Sequence, residues 1–399
     1  MESLESALAL LMEHASPVSR REAVPLENAL GRVLAEDVFA PIALPPFDRS
    51  ALDGYTFRAE DVKEACAENP ASLRVVGEIL AGCGDELAIG PGQAVRIMTG
   101  GQIPEGCNCV IRQEDVTEQD GFVCIPKTFQ QGQNICRAGE DVQKGEPVAR
   151  RGERITAIHA GVLGGLGVTA VAVYARVTAA LLCTGDELIP AGTPLTRGKI
   201  YNTNQAMLQA RLMELGVTPL VLTPGKDDAQ EVAIHLLQVL PRVDMILTTG
   251  GVSVGKKDIL HDVLKLLNAK RLFWRIAMKP GSPLLAGLYE DKLLICLSGN
   301  PFAAIACFEL FAKPVLMRMS GDTAPVNRRL QVPLNGCFAK ASPSRRLIRA
   351  VYDGQKVTAD ERNHSSGSLC SMIGCNCLID IPAGDDGLQS GDIVEIVLL

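Results

Sequence analysis

The sequence predicts a multidomain α/β plus β protein. A central three-layer αβα domain with a mostly parallel sheet is expected, flanked by a β-rich insert domain, a small helical region and a C-terminal β-barrel-like domain. Three observations point there. The chain has 399 residues and is 47% hydrophobic, enough for more than one core and roughly two to four domains. Between Arg176 and Met319, apolar strand-like runs alternate with runs of helical period, the pattern of a parallel sheet covered on both faces. On either side, short alternating runs are separated by Gly, Pro and Asp, the pattern of all-β structure. The expected division is 1–22 with 146–174 as the helical and linker region, 23–145 as the β-rich domain, 175–322 as the α/β domain and 323–399 as the C-terminal β domain.

Leu4, Ala7, Leu8 and Leu11 fall at helical spacing, so a short amphipathic helix opens the sequence. From about Pro41 to Gly145 the strand candidates are SLRVVGEIL, AVRIMTG, CVIRQEDV and GFVCIPK. Ile155 to Ala175 carries no fixed charge and is about long enough to span a bilayer. Its glycines, a histidine and two threonines weaken a lipid-facing helix, so a short buried helix capped near Thr156 and a strand over Val168–Val173 are expected instead, with no membrane span. In the central block, VTAALLCT, TPLVLT, VDMILTT, RLFWRIAM, PLLAGLY and LLICLS read as strands. The helices are NTNQAMLQARLMELG, ending at Gly216, then DDAQEVAIHLLQVL, KDILHDVLKLL and a helix from Pro301. After Ser320, RLQVPL, RRLIRAVYD, NCLIDIP and GDIVEIVLL return to β.

The net charge of −7 argues against nonspecific nucleic-acid binding, which needs a basic surface. Any anion site is therefore local. Thirteen cysteines include no C-x-x-C; the closest pairs are Cys107/Cys109 and Cys375/Cys377, each inside Gly-Cys-Asn-Cys. Zinc sites usually need wider-spaced, paired knuckles. Reduced, buried thiols are expected, and with no secretory signal read at the N-terminus the expected compartment is the cytoplasm.

Ligands of open α/β sheets bind beyond the carboxyl ends of the strands. Five polar segments fall there: Thr184-Gly185-Asp186-Glu187, Asp227-Asp228, TTGGVSVGKKD (Thr248 to Asp258), Lys279-Pro280-Gly281 and Ser298-Gly299-Asn300-Pro301. Each alone is more often a turn. Five on one sheet edge make that edge the expected site. From Gly250 the third segment reads G-x-x-x-x-G-K, but Lys257 stands where a P-loop needs Ser or Thr. Gly250, Gly251 and Gly255 can still present backbone N–H groups to an anion, and Thr249 and Ser253 of the same loop join them as candidate substrate-binding residues. Lys256, Lys257, Arg275 and Lys279 add full charges. Against them stand Asp186, Glu187, Asp227 and Asp258, and carboxylates beside phosphates imply a bridging Mg²⁺, with Glu187, Asp258 and Asp186 the expected ligands. A helix N-cap is an equal alternative for Asp258. Outside this domain, PPFDRSALDGYTF holds Asp48 and Asp53, and CRAGEDVQKGE holds Arg137, Glu140 and Asp141. Taken alone these read as a Pro-entered turn and a surface salt-bridged turn.

In this order, PPFDRSALDGY, AVRIMTGG-x-x-P-x-G, RAGEDV, TGDEL, GKIYNTN, TTGGVSVGKKD, MKPGSP and SGNP closely resemble the molybdopterin molybdenumtransferase family, which includes MoeA and the C-terminal part of gephyrin. The resemblance implies an elongated homodimer whose active cleft lies between the α/β domain of one subunit and the β regions of its partner. It implies insertion of molybdenum from molybdate into adenylylated molybdopterin with release of AMP. It also implies contacts with the molybdopterin adenylyltransferase that makes the substrate and with molybdoenzyme maturation factors. By similarity, Asp53, Asp141, Glu187, Asp227 and Asp258 match functional acidic positions. Arg137, Arg275, Lys279, Arg349 and Ser368 match substrate-binding ones. Two departures stand out: Ser298 replaces the usual Pro of Pro-Gly-Asn-Pro, and Ser282 replaces a basic residue after KPG. The alternatives are a non-catalytic scaffold or pterin carrier of the gephyrin type, or a pterin adenylyltransferase, whose fold the α/β domain would share.

Overall fold

The computed structural model describes residues 1–82, 87–223, 227–252, 259–324, 327–359 and 365–399. At its centre is a six-stranded sheet ordered Thr218–Leu222, Thr178–Cys183, Met245–Thr249, Lys292–Leu297, Leu285–Tyr289, Lys270–Trp274. The first four strands run parallel and the last two pairings are antiparallel, so the sheet is mixed. Strand alternation sorts its side chains into two cores. Ala179, Leu181, Met245, Leu247, Leu293 and Ile295 pack with the N-terminal helix, the helix Thr203–Glu214 and the helix beginning at Pro301. Ala180, Leu182, Ile246, Leu294 and Cys296 pack with the helices Ala229–Val239 and Leu260–Leu266. That is the expected three-layer αβα arrangement.

Local signals set the helix ends. Ser3 caps the helix Leu4–Glu13 by accepting from Ser6 N, and Leu4, Ala7 and Leu11 are its buried stripe. Asp228 caps Ala229–Val239 through Gln230 N and Glu231 N. Gly216, at φ +74°, follows the helix Thr203–Glu214. The helix from Pro301 runs as α over Pro301–Cys307, as a π turn over Phe308–Ala312 and as α again over Lys313–Met319. Pro314 has no N–H for the α-helical ladder, and the π turn lies just before it. In that turn the buried Glu309 accepts from Arg211 (Nε 2.6 Å, Nη2 3.1 Å) and from Lys313 Nζ at 2.9 Å.

RLFWRIAM, expected as one strand, is divided. Lys270–Trp274 forms the sheet edge, Arg275 turns with φ +69°, and Met278–Lys279 pairs in parallel with Arg345 and Arg346. The N-terminal chain holds the break open: Glu2 N donates to Arg275 O (3.1 Å) and Ala277 N to Glu2 O (2.9 Å). Lys279 is thereby handed from the α/β sheet to the C-terminal domain. There Arg345–Tyr352, Val357–Ala359, Arg329–Asn335, Ile393–Leu398 and Cys377–Ile381 pair in ring order and close between the first and last, a five-stranded barrel around Ile348, Ile379 and Ile396.

The insert contains a six-stranded sheet: Cys109–Arg112, Gly54–Phe57, Gln93–Ile97, Ala71–Ile79, Phe122–Ile125, Thr117–Gln119. In the connecting region the helix Ala157–Gly165 has the expected Thr156 cap, closed into a capping box by His159, and the strand Ala170–Tyr174 follows. The helix is not buried, however. Only Leu163 is enclosed and Ile158 is 76% exposed, because its glycines supply no side chains to bury. Among the described residues no helix is long and apolar enough to cross a membrane.

None of the twelve described cysteines is in a disulfide; Cys109, Cys183, Cys296, Cys307 and Cys377 are buried as expected, whereas Cys66, Cys337 and Cys370, which lie outside the hydrophobic cores, are exposed. Burial disfavours the thiolate and pushes Cys296 up to about 11 and Cys109, Cys307 and Cys377 up to about 12, as expected of inert core thiols.

Candidate functional site

A cleft of about 880 Å³ opens at the carboxyl ends of the parallel strands. Four of the five predicted segments line it: Thr184, Gly185 and Glu187; Asp227; Thr249, Gly250 and Gly251; and Ser298, Gly299, Asn300 and Pro301. Ladder-like hydrogen bonds continue past the strands and hold these loops side by side. Thr184 N donates to Thr249 O at 2.9 Å and Gly250 N to Leu297 O at 3.2 Å. The latter bond corrects one expectation, since the Gly250 N–H is already engaged and Gly250 serves packing. A Cβ there would lie 2.4 Å from Thr184 O. Ser253, Gly255 and Asp258, with Lys256 and Lys257, lie outside the described residues.

The acidic pair at Asp227-Asp228 divides its work. Asp228 is spent on its helix cap, while Asp227 faces the cleft. Asp186 and Asp227 brace each other across two loops, Asp186 N donating to Asp227 Oδ2 (3.2 Å) and Asp227 N to Asp186 Oδ1 (3.3 Å). The Glu187 carboxylate folds back over Gly185, where a Cβ would come within 2.7 Å of Oε1. Among the described residues Glu187 and Asp227 are therefore the acidic ones lining the cleft, and Asp186 bonds to Asp227 without lining it. No group of three or more metal-ligating His, Cys, Asp or Glu residues occurs among the described residues. Mg²⁺ typically takes only one or two protein carboxylates and completes its shell with water and substrate phosphate oxygens, so this pair fits it.

Lys279, the fifth segment, opens into an adjoining cleft of about 1160 Å³ that shares Pro283, Ser298 and Asn300 with the first. Lys340 and Arg346 from the barrel line it too, with Lys279 opposite Arg346 in the short parallel ladder. Arg349 is fully buried: its guanidinium lies 3.7 Å from the Phe302 ring centroid and donates to the carbonyls of Ser365 (2.9 Å) and Ser368. It thus fastens a barrel loop onto the helix start, where Asn300 Nδ2 donates to Ser366 Oγ (3.1 Å) and Phe302 N to Ser366 O (3.0 Å). Arg275 lies against Trp274, 4.5 Å from its ring centroid, and does not line the cleft.

Asp53, Arg137 and Asp141 do not line the cleft of their own chain. The two insert motifs nevertheless meet: Arg137 Nη1 donates to Asp48 Oδ2 (2.6 Å) and Ala138 N to Asp48 Oδ1 (2.8 Å). Asp53 Oδ1 accepts from Thr99 N and Thr99 Oγ1, both at 2.7 Å, and these bonds hold its carboxyl below the usual range. Asp141 is exposed, its N–H donating to Leu44 O at 3.1 Å.

Sequence reasoning missed Asn204 and the apolar wall Leu195, Ile200 and Tyr201 of the cleft. Asn204 Nδ2 donates to Gly299 O at 2.8 Å and ties the helix Thr203–Glu214 to the Ser298–Pro301 loop. Its signal was present: a polar residue on the stripe otherwise formed by Leu208 and Leu212.

Residues 2–167 match the MoeA N-terminal region (domain I and II), residues 180–318 the probable molybdopterin binding domain, and residues 331–399 the MoeA C-terminal region (domain IV). The molybdopterin molybdenumtransferase of Bacillus subtilis (strain 168) is 37% identical over 393 residues, covering 97% of this chain and 91% of the relative. The chain belongs to the molybdopterin molybdenumtransferase family. A second molybdopterin molybdenumtransferase, from Staphylococcus aureus (strain COL), is 35% identical over 379 residues, covering 94% and 90%. The crystal structure of the molybdopterin biosynthesis moeA protein from Pyrococcus horikoshii OT3 superposes with a TM-score of 0.88 at 31% identity, covering all of both chains. Residues 180–318, matched to the probable molybdopterin binding domain, contain four of the loops that build the cleft.

Proposed function

We propose that this protein inserts molybdenum from molybdate into adenylylated molybdopterin, releasing AMP. The observation that carries this reading is the joining, in one cleft on the sheet edge, of glycine-lined walls with two carboxylates, Glu187 and Asp227. Water cleaves a P–O bond of the pyrophosphate, AMP leaves with one phosphate and the pterin keeps the other; the two dithiolene thiols then bond molybdate as one of its oxo ligands leaves as water with their two protons, with no change of oxidation state. Gly251 and Gly299 let phosphate oxygens approach the backbone, and the helix starting at Pro301 adds partial positive charge. Glu187 and Asp227 would hold Mg²⁺, which neutralises developing charge on the phosphates when bound. Lys279, Lys340 and Arg346 in the adjoining cleft supply local positive charge for an oxyanion on a chain whose net charge is −7.

The protein acts as a homodimer in this proposal, with Asp53, Arg137 and Asp141 completing the partner's cleft. It works in the cytoplasm alongside the adenylyltransferase that makes its substrate and the maturation factors that receive its product. The flanking N- and C-terminal regions matched to MoeA favour this over a lone adenylyltransferase. The retained Glu187 and Asp227 favour it over a scaffold. The test is incubation with adenylylated molybdopterin, Mg²⁺ and molybdate or tungstate while AMP is followed. AMP release that needs molybdate or tungstate is expected; none under either oxyanion overturns the proposal. Heterodimers of Asp53→Ala and Glu187→Ala chains should recover part of the activity, and no recovery overturns the shared cleft.

A further inference from the structure

Trp274 is the only tryptophan of the chain and ends the edge strand Lys270–Trp274, where it pairs with Leu285. Its indole makes three distinct contacts. Nε1–H donates to Val252 O at 3.2 Å. The His261 ring meets it edge to face, at 4.6 Å and 87°. The Arg275 guanidinium lies 4.5 Å from the ring centroid. Val252 directly follows Gly250-Gly251, is buried and lines the cleft. His261 belongs to the helix Leu260–Leu266, whose first amide donates to Gly251 O at 3.3 Å. One indole, anchored in a hydrogen-bonded sheet, thus touches the residue after the glycine pair and the helix bonded back to that pair. An edge-to-face ring contact and a cation over the face restrict how the indole can tilt, which keeps its N–H aimed at the carbonyl. The same arrangement accounts for Arg275: its left-handed turn lays the guanidinium on the indole instead of in the cleft.

We propose that Trp274 is a positioning residue for the substrate-binding edge, acting through the Val252 carbonyl and the His261 ring, and that its emission reports occupancy of the cleft. This rests on the proposed function for the identity of the substrate. Trp274→Phe keeps a ring against His261 but removes the donor to Val252, and Trp274→Ala removes both. Without its indole donor the Val252 carbonyl is held less firmly, and a roughly tenfold drop in the population with the edge correctly placed weakens substrate binding by the same factor. In Trp274→Phe the KM for adenylylated molybdopterin should therefore rise about tenfold with kcat held, and Trp274→Ala should raise it further. A residue that only fills the core would lower Tm without this split. In the unmodified protein, titration with AMP and with adenylylated molybdopterin should shift the tryptophan emission saturably. The titration reads binding whatever chemistry follows, so it separates this inference from the proposed reaction. A saturable shift without AMP release leaves Trp274 as the positioning residue of a binding site and overturns the reaction alone. A wild-type KM in both variants, or bound ligand without an emission change, overturns the role of Trp274.

Discussion

Replacing Gly250 by alanine puts a Cβ 2.4 Å from Thr184 O and 2.9 Å from Thr184 Oγ1, on a residue held at φ +89°. Two penalties combine. The positive φ costs an L-residue about 1–2 kcal/mol. The overlap is with backbone and must be relieved by moving one loop from the other, about 1–3 kcal/mol for an overpacked site. Their sum is about 2–5 kcal/mol. Gly192 separates them, since it has nearly the same φ, +86°, and nothing within 4 Å of its added Cβ. Gly192→Ala should therefore lose only the first part. By calorimetry, Gly250→Ala should lower the Tm of the α/β region by roughly 5–15 °C and Gly192→Ala by about 2–6 °C. Because Thr184 and Gly250 both line the cleft, AMP release should also fall in Gly250→Ala, on the order of 10²-fold for a displacement near 1 Å. Equal losses of Tm in the two variants would refute the close approach of the two loops. A full loss of Tm with unchanged AMP release would refute its importance to the site.

The acid limb of stability should depend on Asp244. Burial pushes its carboxyl up, but the two bonds from Arg20 (both 2.8 Å) and the Thr178 amide (2.8 Å) outweigh this and leave it below the usual range. A depressed folded-state pKa contributes stability above the unfolded value of about 3.9 that is lost as pH falls through the folded value. The wild type should thus lose stability below about pH 4, and Asp244→Asn should show a smaller acid-dependent loss in urea titrations at pH 7 and pH 3. Glu309→Ala should lower Tm more than most single changes, since Arg211 and Lys313 would lose their shared buried partner. Breaking such a pair costs about 3–5 kcal/mol, and a Tm within error of wild type would contradict the triad.

Local rules determined much of this protein. The period of the central runs is enough to place strands and helices alternately. Helix ends are read from Thr156 and Gly216 because caps and left-handed turns depend on neighbours a few residues away. The carboxyl edge of the sheet was legible as a site because four of its strands run parallel and put the loops that follow them on one side, and those loops do line one cleft. What the sequence left open was settled by contacts between residues far apart in the chain. Nothing local tells Asp227 from Asp228; the helix takes one as its cap and leaves the other to the cleft. The engaged N–H of Gly250 depends on Leu297, and the joining of the two insert motifs depends on Asp48 meeting Arg137 across 89 residues. RLFWRIAM is one apolar run by period, yet Glu2 and the barrel divide it and carry Lys279 to a different domain. Arg349, a charge expected at a binding surface, is enclosed instead, with its guanidinium on the Phe302 ring and its Nη2 donating to two carbonyls of its own chain. Periodicity is a property of neighbouring residues, whereas register, barrel closure and burial of a charge follow from which distant surfaces meet.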